Sequence, residues 1–430
     1  MRSAMLAIVV AIGCGDNTTV SGPVLPASCN GGSDVATGTP LIVRGYDLSD
    51  IAHTEPRATR WGANNLLQAW QGESIGFASS MDAGRTWTFE GTVDGSGGRP
   101  GDVSLATDAN GTAYLVTVQL VDPSAGTFGP LLLSQLTAEG SAFTTPVPIS
   151  TTSNADKPTI AFDSNGLLAI MYQDESSGGL EFIRSTDASV TSFTAPVAIQ
   201  FASTSVLFDG KRAVFCVDKN AIAAAPVRAM AWPPVARLRE DGSGAWDVDD
   251  SGSLVVGPEQ DPACVVDGDD LWIAYAAYDA TPRIALDLES DLFPADAVKV
   301  LHSKDGGLTF DYQTRVTPPL SSATKYLFPE MVLTQSGHLE LLYYAGEVGG
   351  ALSLMRSTSP QGGCGSWSTQ TLADAGTLLT SRQTDNWLGD YFGVFATDEG
   401  VVAAFTDNGS GSCLFGGTCS TISSVSYDSP

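Results

Sequence analysis

The chain has 430 residues, 43% of them hydrophobic, and its 48 acidic residues against 21 basic ones leave a net charge of −27. Acidic residues spread along the whole length argue against a nucleic-acid partner and against attachment to anionic headgroups through a basic patch. With 46 Gly, 23 Pro, abundant Ser, Thr and Val, and no long apolar pattern of helical period, the composition predicts an all-β chain rich in turns.

Residues 1–13 carry one positive charge, Arg2, and then a short apolar run, the pattern of an export signal too short to span a bilayer stably. Ala11-Ile12-Gly13-Cys14 has the form of a bacterial lipobox. Cleavage before Cys14 leaves that cysteine lipidated and tethers the protein to a membrane face; an ordinary signal peptide cut nearby is the alternative. Residues 14–38, rich in Gly, Asn, Thr, Ser and Pro, read as a flexible tether, and residues 39–430 as one globular unit. Within it Leu41-Ile42-Val43-Arg44-Gly45-Tyr46 is a strand ahead of any repeat.

From there a unit recurs: a Pro or charged residue, a short apolar run, an Asp/Asn/Gly turn and a second apolar run. It reads seven times, at 56–70, 100–119, 158–173, 212–225, 262–278, 329–344 and 390–406. Turns such as Asp108-Ala109-Asn110-Gly111 and Asp163-Ser164-Asn165-Gly166 are hairpin chemistry, so their aspartates are assigned to structure. Between the copies, Ser80-Met81-Asp82-Ala83-Gly84-Arg85-Thr86-Trp87 and Ser303-Lys304-Asp305-Gly306-Gly307-Leu308-Thr309-Phe310 share the pattern Ser-x-Asp-x-Gly-x-Thr-aromatic. The Ser and Asp side chains suit turn N–H groups, Gly a positive φ, and the Thr-aromatic pair the start of an outgoing strand.

That pattern resembles the Asp-box (BNR) repeat, and the chain is therefore similar to the sialidase-like β-propeller superfamily. The resemblance implies a β-propeller of four-stranded blades, each Asp-box joining a third strand to a fourth. Eroded copies near 134, 185, 239 and 357 give, with those at 80 and 303, one unit per roughly 55 residues. Seven inner hairpins against six Asp-box positions leave a last unit of three strands, and the N-terminal strand at 41–46 is expected to complete it. Seven blades are the expectation and six the alternative, because the unit around 211–232 is poor and catalytic sialidases have six.

If strands alternate direction, the inner hairpins and Asp-boxes share one face, and the residues entering first strands and leaving second strands share the other. That second face is polar: Arg57, Arg99, Asp102, Lys157, Arg212, Asp261 and Glu330 enter inner strands, Trp387, Asp390 and Tyr391 join them, and Asp174, Tyr278 and Tyr344 leave second strands. Carboxylates, arginines and aromatic platforms suit sugar recognition, and opposed carboxylates suit acid/base chemistry on a glycosidic bond; a solvated, salt-bridged channel mouth is the bland alternative. The family's Arg-Ile-Pro is absent. Pro56-Arg57-Ala58-Thr59 stands nearest to it, and Tyr344, Glu330 and Asp102 are the candidates for catalytic roles.

Setting Cys14 aside leaves Cys29, Cys216, Cys264, Cys364, Cys413 and Cys419, an even number in an exported chain. Cys413 and Cys419 enclose a short loop and are expected to pair, Cys216 and Cys264 fall at similar positions of consecutive repeats, and Cys29 and Cys364 remain. Asp247-Val248-Asp249-Asp250-Ser251-Gly252 has the oxygen spacing of a calcium loop, but Pro258 stands where the closing Glu belongs, so an acidic turn is expected and a structural Ca2+ is the minor alternative; no other cofactor is called for. Three functions remain open: a monomeric, lipid-anchored surface protein binding a glycan or an extracellular protein through its polar face, a sialidase-like exo-glycoside hydrolase, or a purely structural surface protein.

Overall fold

The computed structural model describes residues 39–44, 54–62, 65–93, 99–122, 127–150, 154–174, 176, 179–199, 214–217, 221–224, 235–240, 246–249, 259–277, 295–306, 310–318, 324–347, 350–360, 363, 365–377, 388–389, 391–398, 400–412 and 418–428. The signal and tether (1–38) therefore lie outside the described residues.

Among the described residues every long element is a strand. β1 (Leu41–Arg44) precedes the repeats. β2 (Thr54–Trp61), β3 (Asn65–Gln71), β4 (Ile75–Ser80) and β5 (Thr88–Val93) make one sheet, and β6 (Arg99–Thr107), β7 (Ala113–Asp122), β8 (Thr127–Gln135) and β9 (Val147–Pro148) the next. β10 (Ala155–Phe162), β11 (Leu168–Asp174), β12 (Gly179–Arg184) and β13 (Val197–Ile199) follow, then β14 (Val214–Val217), β15 (Ala221–Ala224), β16 (Val235–Glu240) and β17 (Trp246–Asp249), whose backbone pairing alone is described. β18 (Glu259–Asp267), β19 (Asp270–Ala277), β20 (Ala297–Ser303) and β21 (Tyr312–Arg315) precede β22 (Thr324–Leu333), β23 (Leu339–Glu347), β24 (Ala351–Thr358) and β25 (Ser368–Thr377). The last sheet combines β26 (Gly393–Ala396), β27 (Gly400–Ser412) and β28 (Thr418–Asp428) with β1, which pairs antiparallel with β28 from Leu41↔Ser426 to Arg44↔Ser423.

The result is an all-β propeller of four-stranded antiparallel blades, the described strands grouping into seven such sheets. The first strands neighbour one another in order, β2 beside β6, then β10, β14, β18, β22 and β26, with β26 back against β2. Consecutive antiparallel strands with short turns need only local pairing to form a blade. Asp108 and Asp163 perform the turn chemistry read from the sequence: Asp108 Oδ1 accepts from Asn110 N (2.9 Å) and Thr112 N (2.8 Å), and Asp163 Oδ1 from Asn165 N (2.9 Å) and Leu167 N (2.8 Å).

The core lies between blades. One apolar cluster joins Val116, Val118, Leu131 and Leu133 to Ile160, Ile170 and Tyr172, and another joins Leu342, Tyr344, Leu354 and Leu372 to Phe392, Phe405 and Val425. A blade has two faces to cover, so middle strands such as β11 and β4 are buried throughout instead of alternating. Cys264, on β18, is disulfide-bonded. The Cys413–Cys419 expectation rests on Cys413, outside the described residues, as do Cys14, Cys29 and Cys364.

The acidic segment at 247–252 departs from the expected turn at its start: Asp247 and Asp249 belong to β17, paired with Arg239 and Arg237 of β16. A strand ladder holds its backbone extended, which a calcium loop cannot be. The rest of that segment lies outside the described residues.

Candidate functional site

The entry of the inner strands is built from a recurring bulge. Pairing slips between Thr54 and Arg57 on β2, Gly101 and Val103 on β6, Asp156 and Thr159 on β10, Gln260 and Ala263 on β18, and Leu327 and Glu330 on β22. At these slips non-glycine residues take positive φ: Glu55 (56°), Asp102 (24°), Lys157 (47°) and Phe328 (47°). Glu55, Lys157 and Phe328 each precede a proline, as does Asp261 at the matching place on β18. Proline supplies no N–H to the ladder, so it sits without cost where pairing lapses, and the bulge redirects the neighbouring side chain. Left-handed backbone at non-glycine residues costs energy and is retained where surrounding packing enforces it.

Arg57 is the centre of the resulting cluster. It is 8% exposed; its Nη1 donates to Phe392 O at 2.7 Å and to Glu330 Oε1 at 3.0 Å, and the guanidinium stacks over the Tyr391 ring, 4.1 Å from its centroid. Three blades meet here, because Arg57 comes from β2, Glu330 from β22, and Tyr391 and Phe392 from the segment leading into β26. Two glycines permit that approach. A Cβ on Gly393 would stand 2.5 Å from Ala58 N, and one on Gly389 (φ +82°) 2.4 Å from Glu55 Cγ.

Tyr391 ties in a fourth strand, β6. Its hydroxyl accepts from Val103 N at 3.0 Å and is placed to donate to Val103 O at 3.2 Å or Asp102 Oδ1 at 3.3 Å, while Asp102 N donates to Gln71 Oε1 at 3.1 Å. Burial pushes the Tyr391 phenol well above its ordinary pKa; the Asp102 and Glu55 carboxylates add to the rise and Arg57 opposes it. Burial likewise pushes the Glu330 carboxyl up against the pull of Arg57. The Nε and Nη2 atoms of Arg57 are inaccessible and have no hydrogen-bond partner. A guanidinium presents Nε and Nη2 as a fork matched to a carboxylate.

Of the residues singled out in the sequence, Arg57, Asp102, Glu330 and Tyr391 come together. Lys157 and Asp174 are buried on the β10–β13 blade, where Asp174 Oδ1 accepts from Ser176 N (3.0 Å) and Ser176 Oγ (2.6 Å), capping its own loop. Arg99 and Asp261 lie in β6 and β18 with their side chains outside the described residues, and Arg212, Tyr278, Trp387 and Asp390 lie outside them altogether. Tyr344 must be reassigned. It is a fully buried core residue, packed edge-on against Phe328 and Phe392, with its hydroxyl accepting from Thr406 N and donating to Thr406 O, each at 3.0 Å. A tyrosine so enclosed has no substrate to attack. Glu55, Gln71 and the Phe392 carbonyl were not foreseen; the repeated residue-Pro pairs at strand entries were the available signal.

A cleft of about 780 Å³ lies elsewhere, between the β6–β9 and β10–β13 blades, lined by residues including Tyr114, Val147, Pro148 and Phe193 and by no charged side chain. Among the described residues no group of His, Cys, Asp and Glu is placed to hold a metal, and no helix is long and apolar enough to cross a membrane.

Four-stranded antiparallel blades whose first strands neighbour one another in order define a β-propeller. No family model and no curated protein matches the chain. Among solved structures, an ulvan lyase of polysaccharide lyase family PL25 is similar at TM-score 0.54 and 12% identity, over 87% of this chain and 94% of its own. A protein of unknown function from Dyadobacter fermentans is similar at TM-score 0.52 and 12% identity, over 92% and 99%. A Hadza microbial sialidase aligns at TM-score 0.47 and 13% identity, over 69% and 66%. These likenesses are of fold.

Proposed function

We propose that the protein is an exported, lipid-anchored propeller of seven blades, completed by β1, that binds an acidic glycan at the entry of its inner strands. One observation carries the binding reading: the Nε–Nη2 edge of Arg57, buried and without an acceptor, in a cluster where three blades meet. A buried guanidinium edge left unpaired is costly, and a ligand carboxylate or sulfate removes that cost. The ulvan lyase of similar fold also has a structure bound to -[GlcA(1-4)Rha3S]-, a segment carrying both kinds of anion. Seven sheets and the β1–β28 ladder support the ring, and Ala11-Ile12-Gly13-Cys14 supports the anchor.

Export also accounts for a disulfide at Cys264. Cys216 is our choice of partner, since its strand β14 packs beside β18; non-reducing peptide mapping that links Cys264 to another cysteine removes that pairing. Metabolic labelling with palmitate should mark the wild-type protein and not the Cys14→Ser variant.

The binding test is titration calorimetry with trigalacturonate. Arg57→Lys keeps the charge that Glu330 needs but loses the fork, and one charge-assisted hydrogen bond is worth about 1.5–3 kcal/mol. Affinity should fall on the order of ten- to a hundredfold with the fold intact by circular dichroism. Equal affinity of the lysine variant overturns the role of Arg57.

A further inference from the structure

The cleft between the β6–β9 and β10–β13 blades shares no residue with the Arg57 cluster, and a second repeat builds it. Phe143-Thr144-Thr145-Pro146-Val147 and Phe193-Thr194-Ala195-Pro196-Val197 follow the third strands β8 and β12. In each copy the first threonine closes on the end of its third strand. Thr144 Oγ1 accepts from Gln135 N at 2.9 Å while Thr144 N donates to Gln135 O at 2.8 Å; Thr194 Oγ1 accepts from Arg184 N at 3.1 Å while Thr194 N donates to Arg184 O at 2.9 Å. A hydroxyl that accepts a backbone N–H still has its own proton to give. Among the described residues neither threonine gives it to protein.

Tyr114 stands directly across the β7–β8 pair from Gln135, so the two side chains share the cleft face of that blade. It is 5% exposed, with its ring packed against Phe162 at 5.3 Å between centroids. Its hydroxyl nevertheless has no partner among the described residues, and it is not sealed in, unlike the buried orphan atoms of Arg57. Burial and the Asp108 carboxylate hold the phenol above its ordinary pKa, so it serves as a neutral donor and acceptor. The hydroxyls of Ser189, Thr191 and Ser192, also on the wall, are taken by Asp187. What remains for a ligand is the Tyr114 phenol, the Gln135 amide and two threonine protons, beside apolar surface from Phe193 and the half-exposed Val147.

In a chain of net charge −27 these walls carry no charged side chain, so an anion finds no cation there and a cation no carboxylate. Pro146, Pro148 and Pro196 donate no N–H from the strand edges, which opposes an added peptide strand. An uncharged sugar suits both halves of the lining. Its C–H face lies on apolar surface, its hydroxyls both donate and accept, and a carboxamide can pair with two neighbouring ones. The volume of about 780 Å³ falls within the roughly 300–1,000 Å³ of small-ligand sites. We propose that this cleft binds a short segment of an uncharged glycan, as a site that does not rest on the acidic-glycan reading at Arg57.

The full mature chain is tested on a microarray of uncharged gluco-, manno-, galacto-, xylo- and arabino-oligosaccharides with sulfated and uronate oligosaccharides alongside, and the best uncharged probe is then titrated by calorimetry. Binding of an uncharged probe is expected, with an affinity that salt does not change. Tyr114→Phe removes one hydroxyl and keeps the ring, and should weaken binding about three- to tenfold. Ala195→Trp, at an exposed position on the wall, should fill the cleft and abolish binding. Both variants are checked for fold by circular dichroism, and Tyr114→Phe decides alone if Ala195→Trp does not fold. Retention of no uncharged probe overturns the proposal, as does retention of charged probes only. Affinity that falls with added salt, or wild-type affinity in both folded variants, places the sugar elsewhere and overturns it as well.

Discussion

Asp82 shows what the repeated octapeptide is for. Its Oδ1 accepts from Thr86 N at 2.8 Å and from Ser80 Oγ at 2.9 Å, its Oδ2 accepts from Thr86 Oγ1 at 2.7 Å, and Ser80 Oγ accepts from Gly84 N at 2.9 Å. Partial burial pushes this carboxyl up, but the bonds from Thr86 and Ser80 together hold it below its ordinary value. The eroded copy at 185 keeps the device with different residues. Ser189 and Ser192 side chains, with the backbone of Ser189 and Thr191, hold Asp187 down at about 2. A carboxyl depressed in the folded state stabilises fully above its unfolded value, near 3.9, and that contribution disappears as pH falls towards about 2. NMR titration should therefore find Asp187 ionised at pH 3, and Asp187→Asn should flatten the acid dependence of hairpin opening between about pH 4 and 2. An ordinary midpoint near 4 would sink this account. None of these atoms faces the Arg57 cluster, which is why the most legible residues of the sequence say nothing about ligand.

Between elements, the joint of the β22–β25 blade with its neighbour depends on a charge pair that the sequence does not announce. Arg356 on β24 and Glu340 on β23 are 1% and 0% exposed, joined by Nε–Oε2 at 2.7 Å and Nη2–Oε1 at 2.6 Å, with Thr358 Oγ1 donating to Oε2 at 3.0 Å. Arg356 also lies over the Tyr427 ring of β28, 4.0 Å from its centroid. Burial pushes the Tyr427 phenol well up; Glu340 adds to that and Arg356 opposes it. Removing one member strands the other without solvent, so Glu340→Gln should cost about 3–5 kcal/mol in denaturant unfolding. The double variant Arg356→Met/Glu340→Leu should cost less than the two single losses added together. Strict additivity would mean that the pair is not a unit. The bulges at the inner-strand entries are the corresponding device at the mouth, and they too depend on a partner strand: a bulge is a mismatch of two strands, and one strand's residues do not display it.

The whole molecule depends on how its first and last segments meet. β1 pairs with β28, and Arg44 bonds both the Asp407 carboxylate on β27 and the Asp374 carbonyl, at 2.7 Å, on the neighbouring blade. Deleting residues 39–46 should uncover the β28 edge, lower the unfolding midpoint and promote self-association, read by light scattering after gel filtration. A monomer of unchanged stability would show that β1 is dispensable. The four-stranded blade, its period and the position of Asp-boxes between third and fourth strands were legible in the sequence, because hairpin turns and apolar runs are local and repeat at a fixed interval. The polar face was legible as a set of strand entries, Arg57, Asp102, Glu330 and Tyr391 among them. What the sequence left unresolved was membership: Tyr344, one strand away from Glu330, lies sealed in the core, while Tyr391, buried as well, forms the floor under Arg57. The sequence by itself determined the repeat, since it follows from neighbours in the chain. Only the tertiary structure decided which charges share one guanidinium, because the ring brings together residues 57 and 330, hundreds of positions apart, and burial there sets the strength of their interaction.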